Sequence, residues 1–443
     1  MAGSSSGMRP TIKFRDLVLV AVAAVIGTAI EWYEFFAGAV CAGLVWPHIF
    51  LPSTVSPGVA MAFTFATSLV VGLFGRPVGS FVFGHFGDRL GRKYALVWDL
   101  LIVGIGSLGI ALTPTFSQIG YAAIALVGIF MFLIGFGLGG EWGGATAWVL
   151  ENAYVLGSKW RAFWSSWVQQ GNPMGLLMAS SVLGLLAAIY GPSFLTMGWR
   201  IVFFTGTFIV VVGIIIRYKI VESVLFEDFK YKYGVARRPS LEVWKYYWWP
   251  IVLGILLLIA NAGLGYEFIA YSVPYMVGLG YPASFGLFTQ AIASLTALFF
   301  ILSFSVLGDK IGRRLVDIIL YSISIPLAFV YPLMLITRNL AMAILAQIMF
   351  WGFMTMGTYS VYSSLIPEQF PTKYRYSGAG IAYQLGVAIG GSSASILLST
   401  LIGTQYVAHW WILATISAIY CLLGVITPIF MKETKETKLD QPS

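Results

Sequence analysis

The stretch that decides the fold is Gly84-His85-Phe86-Gly87-Asp88-Arg89-Leu90-Gly91-Arg92-Lys93, a charged loop between two long apolar runs. The order Gly-Asp-basic-apolar-Gly-basic-basic occurs again as Gly308-Asp309-Lys310-Ile311-Gly312-Arg313-Arg314. The two aspartates are 221 residues apart (309 − 88), close to half of the 443-residue chain. The repeat therefore predicts two related halves, each with one such signature loop.

The composition is that of a polytopic membrane protein. Hydrophobic residues make up 58% of the chain and charged residues only 10%, and the mean hydropathy is +0.85, which is too apolar for a soluble globule of this size. Runs of about 20 or more apolar residues, long enough to span a bilayer, occur near residues 16–45, 58–84, 94–113, 118–150, 162–190, 199–217, 248–274, 284–307, 315–336, 339–366, 376–400 and 409–430. We predict an all-α protein with twelve transmembrane helices.

The charged residues predict how the chain is oriented. The net charge of +8 comes from bases in short loops, which the positive-inside bias explains better than nucleic-acid binding does. With a cytoplasmic N-terminus, only Arg200 and Arg338 fall on the outer side, and Arg76 is the only arginine expected inside a helix. We expect both termini in the cytoplasm and a multi-pass location in the plasma or inner membrane.

The domain organisation follows from the one long polar loop. We predict a flexible leader over residues 1–14, a six-helix bundle over 15–217, a cytoplasmic linker over 218–247, a second bundle over 248–431 and a cytoplasmic tail over 432–443. The sequence lacks a nucleophile–base set, a phosphate loop and metal-ligand spacing, so we expect neither an enzyme nor a metal or cofactor site.

The signature loops and four further stretches resemble a known family. Repeated between membrane-length runs, the loop resembles the signature of the major facilitator superfamily, found between helices 2 and 3 and again between helices 8 and 9. Residues 27–36 (GTAIEWYEFF), 75–79 (GRPVG), 139–145 (GGEWGGA) and 169–175 (QQGNPMG) resemble its metabolite:H+ symporter family. The resemblance implies two pseudo-symmetric bundles that move organic acids, proline, betaines or shikimate with protons. In helix 4, Met131 and Ile134 replace the usual arginine and glutamine, so the coupling mechanism of relatives does not carry over directly.

The resemblance also implies a charge network at the cytoplasmic helix ends. Glu151 and Arg161 in the first half have counterparts in Glu368 and Arg375 in the second. In the superfamily such groups pair with the signature loops when the inner side is closed; the alternative is that they are solvated loop charges. The predicted gate consists of Gly87, Asp88, Arg89, Gly91, Arg92, Glu151, Arg161, Asp309, Arg313, Glu368 and Arg375.

Ionisable residues inside the apolar runs are the candidate coupling groups, because charge in a bilayer core is costly and seldom idle. They are Glu31, Glu34, Arg76, Asp99, Glu141 and Glu267. Glu31 and Glu34 are three residues apart and share a helical face, so they are expected to line a cavity as an acid pair. Glu34 occupies the position nearest the acid of related proton-coupled porters and is the predicted proton carrier. A rise of about 1.5 Å per residue puts Glu31, Arg76 and Glu141 at similar depth, so Glu31 or Glu141 is expected to pair with Arg76. The alternatives are a fixed network that only joins helices and, for Asp99, a brace for the first signature loop.

Polar and aromatic residues within the runs suggest the substrate site. The candidates are Tyr33, Arg76, Gln169, Gln170, Asn172, Asn261, Tyr266, Glu267, Tyr271, Tyr359, Tyr362 and Gln384. Arg76 favours a carboxylate, whereas the many acids and aromatic residues also fit a zwitterion, an amine or a sugar. We predict a monomeric, proton-coupled importer of a small carboxylate or zwitterion in a lipid bilayer. A proton-coupled or facilitative sugar or polyol porter and a non-transporting membrane sensor remain alternatives.

Overall fold

The computed structural model describes residues 12–52, 54–56, 63, 70–401 and 407–440, and its regular elements are all helical. We number the long helices α1 to α12 and call Val224–Tyr233 the linker helix. The bounds are Phe14–Leu44 (α1), Arg76–Gly87 after a π-helical turn Val70–Gly75 (α2), Arg92–Leu112 (α3), Tyr121–Val155 (α4), Arg161–Tyr190 (α5), Gly198–Tyr218 (α6), Pro239–Tyr266 (α7), Ala283–Ile311 (α8), Arg313–Ile336 (α9), Leu340–Gln369 (α10), Arg375–Leu401 (α11) and Trp410–Phe430 (α12).

Ten of these helices, α3 to α12, are long and apolar enough to cross a membrane. The helix predicted over residues 58–84 lies partly outside the described residues, which resume at position 70. Most of the leader predicted over residues 1–14 also lies outside them, and α1 begins at Phe14.

The two halves are built alike, as the repeated loop predicts. In the first half α1 packs on α5, α2 on α4 and α3 on α6; in the second, α7 packs on α11, α8 on α10 and α9 on α12. Each pair in one half thus matches the pair six helices later. The halves meet through α2 against α11 and α5 against α8, with α4 also against α11.

Glycines set how closely the helices approach. A Cβ atom on Gly79 would overlap the carbonyl of Phe136, and one on Gly139 would overlap that of Arg76, so α2 and α4 touch through their backbones. Gly143 of α4 likewise lies against the backbone of Gly380 in α11. Small residues allow such backbone contact in membrane bundles, and here they bring both the helices and the halves together.

The seventh helix bends where the predicted linker ends. Two helical stretches join at this point within Pro239–Tyr266, so the last residues of the linker predicted over 218–247 are themselves helical. Tyr247 interrupts the helix with a non-helical conformation (φ −129°, ψ 29°). Pro250 has no N–H to donate to the preceding turn, which favours a kink at this position. The aromatic run before the proline therefore belongs to a bent helix.

Two carboxylates close the turns that follow the signature glycines. Gly91 and Gly312 have positive φ angles of 133° and 115°, a conformation that favours glycine. The Glu222 carboxylate accepts the backbone N–H groups of Arg92 and Lys93 at 3.0 Å. Glu433 accepts those of the first two residues of α9, each at 3.1 Å. Both signature loops are thus fixed by a residue that lies beyond the sixth helix of its half.

Candidate functional site

The halves are fastened to each other at the end of the molecule that carries the signature loops, which we call the signature face. The buried Asp88 carboxylate accepts the backbone N–H groups of Tyr376 (3.2 Å) and Ser377 (2.8 Å) in the first turn of α11. Asp309 accepts those of Ala162 (3.0 Å) and Phe163 (2.9 Å) in the first turn of α5. Each signature aspartate therefore caps a helix of the opposite half, where the helix dipole favours negative charge.

A first buried ion network lies beside Asp88. Glu151 receives Arg92 from its own half at 3.0 Å and Arg375 from the other half at 2.7 Å. Arg92 also lies 3.1 Å from Asp88 and donates to the carbonyl oxygen of Thr372 at 2.7 Å. Glu151 is fully buried, so these are not solvated loop charges.

A second network repeats the arrangement around Glu368. Its carboxylate lies 3.3 Å from Arg313 of its own half and 3.3 Å from Arg161 of the other half. Arg313 also contacts Asp309 at 3.0 Å. Arg89 lies apart, exposed and 3.4 Å from His85, because it points away from the contact between the halves. Apart from Arg89, the charged residues of the predicted gate are brought together here.

The described part of the tail runs across this face. Arg161 donates to the carbonyl oxygens of Thr434 (3.1 Å), Lys435 (2.7 Å) and Thr437 (2.8 Å). Leu439 is buried against Leu150 and against Leu225 of the linker helix. The tail thus joins both halves and the linker, which the sequence reading of a merely cytoplasmic tail did not anticipate.

Deeper in the molecule, Arg76 lies at the contact between the halves. Its Nε donates to Gln384 Oε1 of α11 at 2.8 Å, and its Nη2 lies 3.6 Å from Glu31 Oε1. The guanidinium lies over the rings of Trp32 (5.3 Å) and Phe35 (5.7 Å). Arg76 is 2% exposed, yet neither Nη1 nor Nη2 has a hydrogen-bond partner among the described residues.

Aromatic and amide groups surround this arginine from both halves. Trp142 of α4 stacks on Tyr383 of α11 with centroids 4.0 Å apart, and its Nε1 donates to Gln169 at 2.8 Å. Gln169 in turn donates to the carbonyl oxygen of Tyr359 at 3.0 Å, whose hydroxyl lies 2.7 Å from that of Tyr383. Trp142 and Tyr383 were not predicted; Trp142 falls in the quoted GGEWGGA stretch, which was the available signal.

Two predicted residues of α1 lie inside the first half instead. Glu34 is 1% exposed, and both its oxygens are 2.9 Å from the Ser107 hydroxyl of α3. The Tyr33 hydroxyl donates to the carbonyl oxygen of Val202 in α6. Glu31 faces Arg76 whereas Glu34 faces Ser107, so the two glutamates do not line one cavity as a pair.

Several predicted residues lie inside the second half or at its edges. Glu267 accepts from Ser417 of α12 at 2.5 Å, Asn261 donates to Thr355 and Thr358 of α10, and the Tyr362 hydroxyl is 2.7 Å from that of Tyr321 in α9.

The remaining candidates lie nearer the other half or towards the helix ends that are opposite the signature face. The Tyr266 ring approaches that of Phe35 across the two halves at 6.4 Å, and that of Tyr271 approaches Tyr275 at 6.0 Å. Gln170 donates to the carbonyl oxygen of Leu298 in α8. Asn172 is 5% exposed on α5.

A second buried arginine, Arg217 at the end of α6, was missed. It contacts Asp99 at 3.4 Å and Glu141 through a short hydrogen bond, and it donates to the carbonyl oxygen of Leu96 at 2.6 Å. Glu141 therefore pairs with Arg217 and not with Arg76, and Asp99 does not brace the signature loop. The sequence signal for Arg217 was that the acids inside the apolar runs outnumber Arg76, so a further cation was needed to balance their charge.

Asp317 of α9 is another acid that the sequence reading passed over. It is fully buried, and both its carboxyl oxygens lack a hydrogen-bond partner within the described chain. The neighbouring tyrosines are Tyr321 and Tyr362. It lies four residues after Arg313, near the start of the apolar run predicted over residues 315–336.

Two protein families and several transport proteins resemble this chain in sequence. Residues 19–238 match the family described as "Sugar (and other) transporter", and residues 154–383 match "Major Facilitator Superfamily". A putative metabolite transport protein of Haemophilus influenzae is 34% identical, covering 96% of each chain. The shikimate transporter of Escherichia coli is 31% identical over 92% of this chain and 93% of its own. The proline/betaine transporter of Escherichia coli is 30% identical, over 94% of this chain and 84% of its own.

Among solved structures, the proton:xylose symporter XylE bound to 6-bromo-6-deoxy-D-glucose superposes with a TM-score of 0.76. The two share 18% sequence identity, and the superposition covers 96% of this chain and 98% of the other. It establishes a common fold. Its helices pair alike in both halves, its signature loop is repeated, and its relatives match along nearly their whole length. The chain therefore belongs to the major facilitator superfamily and is a multi-pass membrane transporter.

Proposed function

We propose that this transporter is a proton-coupled symporter that imports a small carboxylate or zwitterionic metabolite by alternating access. The proposal rests mainly on the position of Arg76 and on its hydrogen-bond donors that lack partners. Arg76 is a buried cation between the halves, oriented by Gln384 and Glu31, and neither of its terminal nitrogens has a hydrogen-bond partner among the described residues. Substrate sites of secondary transporters lie near the midplane between their repeats.

The chemistry of Arg76 favours an anionic group in the substrate. Its planar fork presents parallel N–H groups that match a carboxylate in bidentate fashion. Nε already donates to Gln384, whereas the two Nη groups, one of them 3.6 Å from Glu31, still have hydrogen bonds to donate to a ligand. The rings of Trp32 and Phe35 keep water from the guanidinium, which strengthens a charge-assisted hydrogen bond.

Buried acceptors without partners favour a substrate that also donates hydrogen bonds. Gln170 Oε1 and Asn172 Oδ1 on α5 and Glu31 Oε2 on α1 have no hydrogen-bond partner among the described residues. An ammonium, hydroxyl or secondary amine on the substrate would satisfy such groups, whose burial without a partner is costly. A hydroxylated acid or an amino acid fits both the donors and the acceptors, in keeping with the shikimate and proline/betaine transporters among the relatives.

The proposed cycle uses the closed signature face. This face is taken to be cytoplasmic, and the substrate is released when the Glu151 and Glu368 networks separate. The proposed coupling groups are Glu34, Glu31, Arg76 and Glu141, because buried carboxyls bind protons readily when no cation neutralises them. Glu34 meets that condition best, since its contacts are hydroxyl hydrogen bonds from Ser107.

A sugar or polyol porter is the second candidate. The Trp142–Tyr383 stack and the amides of Gln169 and Gln384 are the kind of groups that bind sugars, and the first half matches a sugar transporter family. However, those amides already donate and accept within the protein. The unoccupied donors belong to Arg76, which favours the acid.

The test is a thermal-shift screen of the purified protein against acids, amino acids, betaines and sugars, repeated with Arg76→Lys and Arg76→Gln. We expect carboxylates to stabilise the wild type, weakly the lysine variant and not the glutamine variant. Arg237→Gln, in the exposed linker, is the matched control. Stabilisation by sugars alone, or by carboxylates equally in Arg76→Gln, would overturn the assignment.

Coupling is tested with the best ligand of that screen in proteoliposomes. An inward proton gradient should accelerate uptake by the wild type, and Glu34→Gln should abolish the acceleration while preserving exchange at equal pH. Unchanged acceleration in Glu34→Gln would remove Glu34 from the coupling role. A wild type that ignores the gradient would refute symport.

A further inference from the structure

One cluster of buried charges in the first half has more acids than bases. Among the described residues, Glu31, Glu141 and Asp99 interact electrostatically with one another and with Arg76 and Arg217. Their relative exposures are between 1% and 3%. Arginine remains charged in proteins, so complete ionisation of the three acids would leave one uncompensated negative charge in a dry interior. An uncompensated buried charge is strongly unfavourable, and one bound proton removes it.

The end of this cluster nearest the signature face has room for that proton. Asp99 Oδ1 accepts the backbone N–H of Leu100 at 2.6 Å and contacts Arg217, while Asp99 Oδ2 has no partner within the described chain. Glu141 Oε1 accepts from Thr28 at 3.3 Å and from Arg217, while Glu141 Oε2 is likewise unpartnered. Two carboxyls therefore share one guanidinium, and each keeps a free oxygen.

A tyrosine of the opposite half covers these two acids. The Tyr376 ring lies against Gly87 of α2 and Gly144 of α4, where a Cβ on either glycine would overlap it. Tyr376 is fully buried, its hydroxyl has no hydrogen-bond partner among the described residues, and it interacts electrostatically with Asp99, Glu141 and Arg217. Its backbone N–H is the one that Asp88 accepts. Separation of the halves at the signature face therefore removes the aromatic cover along with the gate.

The buried acids lie at different distances from the signature face. Asp99 precedes Ser107, the partner of Glu34, by eight residues on α3, or about 12 Å of helix rise. Of the acids below the gate networks in this half, Asp99 is thus the nearest to the signature face, whereas Glu34 lies towards the opposite end. Glu31 and Glu141 lie between them and are electrostatically linked to Asp99.

We propose that Asp99 and Glu141, held by Arg217 and covered by Tyr376, form the proton-release station of the transporter. In the closed state one proton resides on this carboxyl pair. When the signature face opens, Tyr376 withdraws, water reaches the pair, and the proton leaves to the cytoplasm while Arg217 neutralises the carboxylate that remains. The titratable and charged groups that face the pair are Glu31 and, through it, Arg76 on α1 and α2, Arg217 on α6 and Tyr376 on α11. The inference rests on the proposed proton coupling and adds the exit that Glu34 alone lacks.

Infrared difference spectroscopy of the full-length protein tests the site without a substrate. Between acidic and alkaline pH, the wild type should show a protonated-carboxyl C=O band, and Asp99→Asn and Glu141→Gln should each remove or shift it. Glu227→Gln, an exposed carboxyl of the linker helix, is the matched control and should leave the band unchanged. A band that persists unaltered in both buried variants overturns the proposal.

Variants of Tyr376 test its covering role while Asp99 and Glu141 stay intact, so this test does not require the buried acid variants to fold. After a pH jump, the carboxyl band should respond faster in Tyr376→Ala than in the wild type, whereas Tyr376→Phe, which keeps the ring, should respond at the wild-type rate. Equal rates in all three proteins would overturn the covering role.

The two proposals fail separately. If proton-driven uptake persists in Asp99→Asn and Glu141→Gln, the release station is wrong while symport stands. If the wild type ignores a proton gradient although the band behaves as expected, symport fails and so does the release role, but the carboxyl pair remains a proton-binding site.

Discussion

Glu222 and Glu433 do the same work in the two halves: each carboxylate accepts the first two backbone N–H groups of the helix that follows a signature loop. One glutamate begins the linker and the other begins the tail. The sixth helix of each half therefore returns to hold the turn between its second and third helices. Both segments belong to the architecture of the signature face, although their sequences are polar.

Removal of these carboxylates should weaken the signature face. We expect Glu222→Ala and Glu433→Ala each to lower the free energy of unfolding by about 1 kcal/mol, as for the loss of a helix cap, because two N–H groups lose their acceptor. Thermal unfolding in detergent measures the effect. Glu227→Ala, on the exposed side of the linker helix, is the control; an equal loss in the control would show that the caps contribute nothing specific.

Glu151 should keep the closed face closed. Glu151→Gln removes the partner of Arg92 and Arg375, and breaking a buried ion pair by removing one member costs about 3–5 kcal/mol. The reporter is Ser165→Cys, since Ser165 is buried and its hydroxyl lies 3.2 Å from that of Ser363 in the other half.

We expect a water-soluble maleimide to label this cysteine faster in the Glu151→Gln background than with Glu151 intact. The native cysteines, Cys41 and Cys421, are buried, and the protein without the reporter gives the background. Equal labelling rates would contradict the role of Glu151 in closure.

Asp88 should make the stability of the closed face depend on pH. Burial raises the pKa of Asp88 from its ordinary 3.8 to about 6, against the opposing effects of Arg92 and of the N–H groups from α11. Because the folded-state pKa lies above the unfolded value, the stability contribution is full below about pH 3.8 and is lost as the pH rises through about 6.

Asp88→Asn removes this titration. The stability of the wild type relative to the variant, followed by thermal unfolding, should therefore decline between about pH 4 and pH 6 and level off above that. Parallel pH profiles for the two proteins would refute the prediction.

Gln384 should orient Arg76 for its ligand. In Gln384→Ala the guanidinium keeps its charge but loses the acceptor of its Nε group, so we expect carboxylate affinity to fall about tenfold, or about 1.4 kcal/mol. The loss should be smaller than in Arg76→Gln. Titration by thermal shift measures both. Gln118→Ala, on an exposed turn between α3 and α4, should bind normally; unchanged affinity in Gln384→Ala would exclude the positioning role.

The sequence predicted the fold because its strongest signals are local. Membrane-length runs follow from hydropathy, and the repeated loop specifies two halves that then pack the same helix pairs. The charge networks at the signature face could also be predicted. Glu151 and Glu368 occupy matching positions in the two halves, and the structure places each between arginines of both halves.

The pairing of charges inside the bundle was harder to predict, because the sequence does not show in which direction a side chain points. Arg217 lies at a helix end, where an arginine usually faces water, but its long side chain runs back into the bundle to reach Asp99 and Glu141. Glu31 and Glu34 are three residues apart and suggested a shared face, yet a small rotation about α1 sends one to Arg76 and the other to Ser107. The position of a kink, as at Tyr247, depends on one proline and is equally hard to place.

The tail is held largely through its main chain, and this limits how its sequence can vary. Arg161 and Arg375 bind it through the main-chain carbonyls of Thr434, Lys435, Thr437 and Leu439, groups that every amino acid possesses. Exchanging tail side chains other than those of Glu433 and the buried Leu439 should therefore have little effect, whereas inserting or deleting a single residue before Leu439 would shift every carbonyl past its arginine. Over the rest of this segment, spacing matters more than composition.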